Sequence, residues 1–291
     1  MPELPEVEVT RRRLAPILVG RTIARVDTTK NSYFFLTKPE ELKRRLTSRT
    51  VVALNRHGKY LLAELDDGDR LLLHLGMTGQ LFSSAVTSAR LFSAKKRASL
   101  SPEAPRAFTP DQHTHLSLHF DDGGPSVLFR DVRKFGKVLL LRAGTDDPRL
   151  AKLGVDALSA TGRGLFEAAR ARKIPIKTLL LDQGVIAGIG NIYADEALFL
   201  AKVRPTRSAR RVTARECEAI VSAAKRVMKR SIQTGGSSIS DYVNPDGSDG
   251  GYQNERKVYA RKGLPCFVCG TPIRRVVIAT RSTHYCPECQ Q

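Results

Sequence analysis

Tyr60-Leu61-Leu62-Ala63-Glu64-Leu65-Asp66-Asp67-Gly68-Asp69-Arg70-Leu71-Leu72-Leu73-His74-Leu75 contains two apolar β-type runs, Tyr60–Leu65 and Arg70–Leu75, on either side of an Asp67-Gly68 turn. Asp-Gly between such runs signals a tight hairpin, because glycine accepts the positive φ that the turn demands. Working outward, the same pattern predicts strands over Thr22–Asp27, Thr50–Leu54, His115–Phe120, Ser126–Arg130 and Lys137–Leu141, with a second such turn at Asp122-Gly123. Their number and spacing predict an antiparallel sandwich. Ahead of them, Val7, Leu14, Ile17 and Leu18 recur at helical spacing, Pro5 suits a first turn and Gly20 a C-terminal cap, which predicts a helix over Pro5–Val19. Gln80 to Gln112 has no sustained period and is expected to be a flexible surface insertion.

Beyond a linker expected over 146–160, helical lengths and apolar repeats predict helices at Gly164–Ala171, Ile176–Asp182, Ile192–Leu200 and Thr213–Gln233. A Gly-rich loop, Thr234 to Gln253, and a cysteine-bearing hairpin finish the chain. There is no internal repeat. The fold class expected is α+β: an N-terminal antiparallel β-sandwich with an N-terminal helix, then a helical domain with a four-cysteine hairpin.

The chain has 291 residues, 41% hydrophobic and 26% charged, which suits a globular protein and excludes a wholly disordered one. Forty-eight Lys+Arg against 29 Asp+Glu leave +19, an excess that points to a polyanionic partner. Residues 1–150 carry +8, 151–200 carry +1 and 201–291 carry +10. No apolar run is long enough to span a bilayer, and Glu3, Glu6 and Glu8 do not suit a signal peptide, so no membrane association and a cytoplasmic location are expected.

Five cysteines in a reducing compartment argue for metal or reactive thiols over disulfides. Cys266-x2-Cys269, sixteen residues, then Cys286-x2-Cys289 has the spacing of a four-thiolate zinc ribbon, with hairpin strands expected over Arg274–Ala279 and Thr283–Tyr285. Four protein ligands close the coordination sphere, so one structural Zn2+ is expected. Arg274, Arg275 and Arg281 project from that hairpin toward nucleic acid or plain solvent. Cys217 reads as a buried apolar residue rather than a reactive thiol.

Removal of Met1 would leave Pro2 with a secondary amine, partly neutral at physiological pH and able to attack an electrophilic carbon. Glu3 lies beside it and Glu6 three residues on. By themselves these acids suit a helix N-terminus favoured by the dipole better than they suit catalysis. Pro2-Glu3-Leu4-Pro5-Glu6-Val7-Glu8, Gly58-Lys59-Tyr60-Leu61, His74-Leu75-Gly76-Met77, Asp131-Val132-Arg133-Lys134-Phe135-Gly136, Gly188-Ile189-Gly190-Asn191-Ile192-Tyr193 and the four-cysteine hairpin occur in the order found in formamidopyrimidine-DNA glycosylases. The sequence resembles that base-excision repair family along nearly its whole length. Glu3-Leu4-Pro5 resembles the branch acting on oxidised purines.

The resemblance implies a helix–two-turn–helix domain and a set of roles. Pro2 is the nucleophile, Glu3 the general acid/base, Glu6 the group that orients the nucleophile or supports the Schiff base, Lys59 the β-elimination lysine near the lesion phosphate, and Arg281 the arginine of phosphate grip and δ-elimination. Without the family Lys59 would read as a solvated turn lysine. Met77, Arg133 and Phe135 match residues that fill the hole left by an everted base. Arg133 and Phe135, two apart on what reads as an extended segment, would face the same way; Met77 and Phe135 would otherwise pass as core.

Asn191 corresponds to a phosphate ligand, helped by Lys173, Tyr259 and Arg275, and His74 to another phosphate contact. His113 and His115 match a family histidine pair whose spacing would also allow a metal, with DNA contact or plain surface as the simpler readings. Ser237, Ile239 and Tyr242 fall in the loop that resembles the lid over the flipped base. The 80–112 stretch departs from the family by being some twenty residues longer, and its Lys95-Lys96-Arg97 suits either added DNA contact or solvation.

These implications divide the chain into a catalytic sandwich at 1–145, a linker at 146–160, a helix–two-turn–helix domain with the recognition loop at 161–256 and a zinc finger at 257–291. The expected protein is a monomeric DNA glycosylase and AP lyase acting on oxidised purines in damaged double-stranded DNA. The rivals are the same chemistry on oxidised pyrimidines and a noncatalytic zinc-ribbon DNA-binding protein. The latter would have no need of Pro2-Glu3 or Lys59.

Overall fold

The computed structural model describes residues 2–86, 108–238 and 242–291. Lys95-Lys96-Arg97 and Ile239 lie outside the described residues. The chain divides into two compact units, Met1–Asp147 with Thr234–Gly251, and Pro148–Gln233 with Tyr252–Gln291.

The first unit is a sandwich of two four-stranded antiparallel sheets. One has the order β1 (Ile23–Thr28), β6 (Thr114–Phe120), β7 (Val127–Asp131), β5 (Gly79–Ser83). The other has β2 (Val51–His57), β3 (Tyr60–Leu65), β4 (Arg70–His74), β8 (Lys137–Leu141). The hairpin expected around Asp67-Gly68 forms, with Leu61 opposite Leu73 and Ala63 opposite Leu71. Those side chains, with Leu81, Leu116, Leu118 and Phe129 of the facing sheet, make the main apolar core. Helix α1 (Leu4–Leu18) contributes Val7, Leu14 and Leu18 to it. Truncating any of these leucines to alanine costs about 2–5 kcal/mol.

One expectation needs correction here, and one helix had no expectation at all. Gln80 to Ser83 belong to strand β5, all buried and paired with Val127–Arg130, so the insertion cannot begin at Gln80. Phe108 is likewise buried, packed edge-on against Phe82. Alternating large apolars were too few in Gly79–Ser83 to advertise a strand whose both faces are covered. Helix α2 (Pro39–Leu46), stapled to the core by Leu42 and Leu46, had also passed unnoticed.

In the second unit, α3 (Pro148–Ala151), α4 (Gly162–Ala169), α5 (Ile176–Leu181), α6 (Asn191–Leu200) and α7 (Ala214–Gln233) pack with the hairpin of β11 (Arg274–Ile278) and β12 (Arg281–Tyr285). The 146–160 stretch expected as a linker carries α3 and strand β9 (Val155–Asp156), which pairs in parallel with β10 (Ile186–Ala187). From Pro148 onward it is part of the second unit's structure. The Gly-rich stretch Thr234–Gly251, drawn from sequence with the helices, has its contacts in the first unit. Among the described residues no helix is long and apolar enough to cross a membrane.

Candidate functional site

The start of α1 holds the first group. Pro2 is buried, and Glu3 and Glu6 are each only 2% exposed. The two carboxylates are not left to repel: Glu3 caps the Glu6 backbone N–H, and the Glu3 N–H donates to Glu6 Oε2 at 2.9 Å, a reciprocal capping box. The other oxygen of Glu6 accepts from the Ser237 backbone at 2.8 Å, and the Tyr242 hydroxyl lies 2.9 Å from the Glu6 carbonyl. Ser237 and Tyr242, expected in the recognition loop, are thus anchored to the acids behind Pro2. Gly236, immediately before Ser237, has φ +83°, and a Cβ there would sit 3.3 Å from both Glu6 Cγ and the Tyr242 ring. Burial pushes the Tyr242 phenol far above its ordinary range, so it acts here as a neutral group.

Glu8, one turn further on, accepts from Arg11, Arg12 and Arg56 at 2.7–3.0 Å. Burial alone would raise its pKa, but the three guanidinium groups outweigh it and hold the carboxyl at about 2. Arg56 also donates to the Gly58 carbonyl at 3.0 Å, so one buried ion pair ties α1 to the β2–β3 turn that carries Lys59. Lys59 is 8% exposed. Its charge is felt by His74, which burial and then Lys59 and Lys137 lower to a pKa of about 4. His74 is therefore a neutral imidazole at pH 7; its Nδ1 accepts from the Gly76 N–H at 3.2 Å, leaving Nε2–H as the donor.

Met77, Arg133 and Phe135 stand on two loops in contact. Gly76 approaches the second loop so closely that a Cβ would lie 2.4 Å from the Phe135 carbonyl carbon. Asp131, fully buried, ties the pair together: it accepts from the Thr78 hydroxyl and from the backbones of Arg133 (3.2 Å) and Gly136 (2.7 Å). The segment is a turn rather than the extended run expected, with Lys134 at φ +58°. Arg133 and Phe135 still share a side, because the guanidinium stacks on the ring at 4.6 Å. Phe135 is 42% exposed, which a core residue would not be.

The expected histidine pair separates in role. His115 is fully buried, with Nε2 2.9 Å from the Asp131 carbonyl and Nδ1 3.1 Å from Thr29, and supports the same turn. His113 is partly exposed beside Gln112. Neither belongs to a cluster of three or more metal-ligating groups among the described residues.

In the second unit Arg281 is exposed at the first position of β12, just after a two-residue turn in which Ala279 and Thr280 both have positive φ. What fixes this tip was missed from sequence. Lys177 and Asp195, both wholly buried, lie 2.6 Å apart; Lys177 also donates to the Ser282 carbonyl (3.0 Å) and Thr283 (2.9 Å), and Asp195 receives the His284 backbone N–H (2.8 Å). Asn191 donates to the same Ser282 carbonyl at 2.9 Å, so its side chain braces the hairpin, which the phosphate-ligand expectation did not foresee.

Arg275, exposed, donates to the Ser282 hydroxyl across the strands. Tyr259 is set by Glu196, whose buried carboxylate gathers the backbone N–H groups of Lys257, Val258 and Tyr259 at 2.8–2.9 Å. Lys173 is exposed just before α5. A lysine in the apolar run Ile176–Leu181 and two acids in the apolar run Asn191–Leu200 were the available signal for these anchors.

Cys266, Cys269, Cys286 and Cys289 bring their four Sγ atoms within 4.8 Å of one another. Four thiols gathered so closely, with no disulfide, fit one tetrahedral Zn2+ and leave no ligand position open. Cys217 is buried away from them, and burial raises its thiol to about 11.

Three family models match consecutive parts of the chain: the formamidopyrimidine-DNA glycosylase N-terminal domain over residues 1–138, the formamidopyrimidine-DNA glycosylase H2TH domain over 153–243, and a zinc finger found in FPG and IleRS over 263–291. Formamidopyrimidine-DNA glycosylases of Cupriavidus pinatubonensis and Thermus thermophilus are 41% and 39% identical to it, each across 100% of this chain and 100% and 98% of their own. The solved MutM (Fpg) of Thermus thermophilus superposes with a TM-score of 0.82 at 37% identity, covering 99% of this chain and 98% of that one. A Lactococcus lactis FPG variant bound to Fapy-dG-containing DNA gives 0.84 at 34% identity, with both chains fully covered. Sandwich, helical unit and four-cysteine hairpin together define a zinc-finger DNA glycosylase of the base-excision repair type. The chain belongs to the formamidopyrimidine-DNA glycosylase family.

Proposed function

We propose that the protein excises oxidised purines, 8-oxoguanine and formamidopyrimidines, from damaged duplex DNA and then cleaves the strand as an AP lyase. The observation that carries this reading is the pair of buried, mutually capped carboxylates, Glu3 and Glu6, directly behind Pro2. Once Met1 is removed, the Pro2 nitrogen attacks C1′ of the damaged nucleotide, the C1′–N bond breaks, and the base leaves with a proton. Glu3 passes protons between the sugar and the leaving base, while Glu6, fixed by the Glu3 and Ser237 N–H groups, keeps the amine in position. The Schiff base then loses a C2′ proton and the 3′-phosphate by β-elimination, and the 5′-phosphate by δ-elimination.

Lys59 serves the first elimination and Arg281 the second, as the family pattern implies. Neutral His74 offers an N–H to a phosphate oxygen; Met77, Arg133 and Phe135 occupy the space of the everted base, held by Asp131. His113, Lys173, Asn191, Tyr259 and Arg275 belong to the DNA-binding set, Asn191 through its bracing of the Arg281 hairpin. Ser237, Ile239 and Tyr242 supply the recognition loop. Zinc, when bound, supplies rigidity to the hairpin and no chemistry. The choice of oxidised purines is supported by the Leu4 branch feature and by relatives solved with Fapy-dG and carbocyclic 8-oxo-G DNA.

Borohydride trapping tests the reading. A protein with a verified free Pro2 amine should form a covalent adduct with 8-oxoguanine duplex, and protein retaining Met1 should form none. Absence of an adduct from the free-amine protein refutes the mechanism. A faster reaction on an oxidised-pyrimidine duplex would transfer the substrate assignment to that class.

A further inference from the structure

The second unit has a concave site that the glycosylase chemistry does not use. A cavity of about 490 Å³ opens between α6, α7 and residues 252–257. Leu200, Val227 and the Tyr252 ring give it an apolar floor, and Arg226, Arg230 and Lys257 a basic rim. Glu255 on that rim is taken up by a two-pronged ion pair with Arg230 (2.7 and 2.8 Å), and the buried Glu196 spends its carboxylate on three backbone N–H groups. Arg226 has no hydrogen bond or ion pair among the described residues. The rim is thus net positive toward an incoming group.

The surface continues past Lys257 onto the first zinc knuckle. Phe267 and Val268 are 65% and 73% exposed, with Leu264 half exposed beside them. Arg261 lies flat on the Phe267 ring at 3.7 Å, held there by the Lys257 and Pro265 carbonyls, and Lys257 Nζ stands 5.1 Å from the same ring. Apolar contacts alternating with fixed cations form a strip complementary to a segment that alternates acids with large apolar side chains.

The strip shares the segment of Tyr259 but is separated along its own elements from Asn191 and Arg281. Leu200 is nine residues from Asn191, roughly 13 Å along α6 at the helical rise per residue. The Phe267 knuckle is at the base of the hairpin and Arg281 at its tip, with the five-residue strand between them spanning about 16 Å. A ligand on the strip therefore leaves Arg281 and the start of α6 open.

We propose that this strip is a docking site for an acidic peptide segment of a partner protein, which places one large apolar side chain in the cavity and its carboxylates on Arg226, Lys257 and Arg261. The test is fluorescence anisotropy of the zinc-loaded, full-length protein with a labelled nine-residue peptide of four aspartates interspersed with leucine and phenylalanine. Binding is expected, with about tenfold loss when the aspartates become asparagines or when the leucine and phenylalanine become alanines. Arg226→Glu and Lys257→Glu should each weaken it by a similar factor, and in Arg226→Glu zinc content, melting temperature and abasic-duplex binding should stay at wild-type values.

Equal binding of the neutralised peptide, or no loss in either variant, overturns the proposal. So does displacement of the peptide by undamaged duplex together with parallel loss of duplex affinity in the two variants, which would make the strip a DNA surface. Phe267→Ala, a side chain 65% exposed, is a variant whose folding is secure and which should lose peptide affinity alone.

Discussion

Glu8→Gln should expose how the N-terminal helix and the Lys59 turn are held together. The carboxyl is held at about 2 against an ordinary 4.5, and at 1.36 kcal/mol per unit that displacement corresponds to about 3 kcal/mol of stability at pH 7. Glu8 and Arg56 are 7% and 8% exposed, so solvent screening removes little of their pairing, whereas the share from Arg12, 58% exposed, is screened. The sign follows from the depressed value: the contribution is complete above pH 4.5 and is lost as pH falls toward 2. The variant's deficit should shrink from about 3 kcal/mol at pH 7 to about 1.5 near pH 3, where much of the native carboxyl's advantage is gone. The chain has no tryptophan, so urea unfolding is best followed by far-UV circular dichroism at both pH values. Because Arg56 also holds the Gly58 carbonyl, the proposed β-elimination step should slow as well. A deficit within about 0.5 kcal/mol at pH 7, or one that does not vary with pH, would refute the reasoning, since it would show that the three arginines confer no net stabilisation.

Lys177→Met leaves Asp195 charged and buried, so it should cost about 3–5 kcal/mol, with much of that recovered in Lys177→Met/Asp195→Asn; denaturation of the four corners of that cycle measures the coupling. Gly236→Ala must place a side chain at φ +83° beside Glu6; it should cost about 1 kcal/mol in melting experiments while lowering the base-excision rate more than abasic-site cleavage. Removing zinc by chelation should unfold the hairpin and abolish DNA binding and incision together, as read by metal content, anisotropy and strand cleavage; full incision by metal-free protein would separate Arg281 from its assigned role.

Much of the architecture was legible because local signals agreed with the tertiary outcome. The Asp67-Gly68 hairpin needed only apolar runs and a turn that glycine permits, and both strand ranges fell within a residue of those observed. The four cysteines were readable for a similar reason, since ligand spacing is a covalent fact. Strand β5 was not, because its burial on both faces erases the alternation that betrays a half-exposed strand. Nor could spacing reveal that Asn191 turns its amide to the hairpin, or that Ser237 reaches Glu6 across 231 residues of sequence. Long-range hydrogen bonds leave no period.

The groups that were missed share one physical character. Glu8, Asp131, Lys177, Asp195 and Glu196 are all nearly inaccessible, and each fixes a segment bearing an exposed or half-buried residue proposed to meet DNA or a lysine proposed to act on it. An exposed cation on a flexible turn would lose conformational entropy on binding a phosphate. A turn already pinned by a buried charge has lost that freedom during folding, when the surrounding core could offset it. The +19 of the chain therefore divides by burial as well as by sequence position: Arg56 and Lys177 are spent inside on carboxylates that shape the turns, while Arg133, Arg275 and Arg281 remain at the surface, placed by those turns. Neutralising an inner member should change geometry at nearly constant salt dependence of DNA binding, whereas neutralising an outer one should reduce the salt slope by about one.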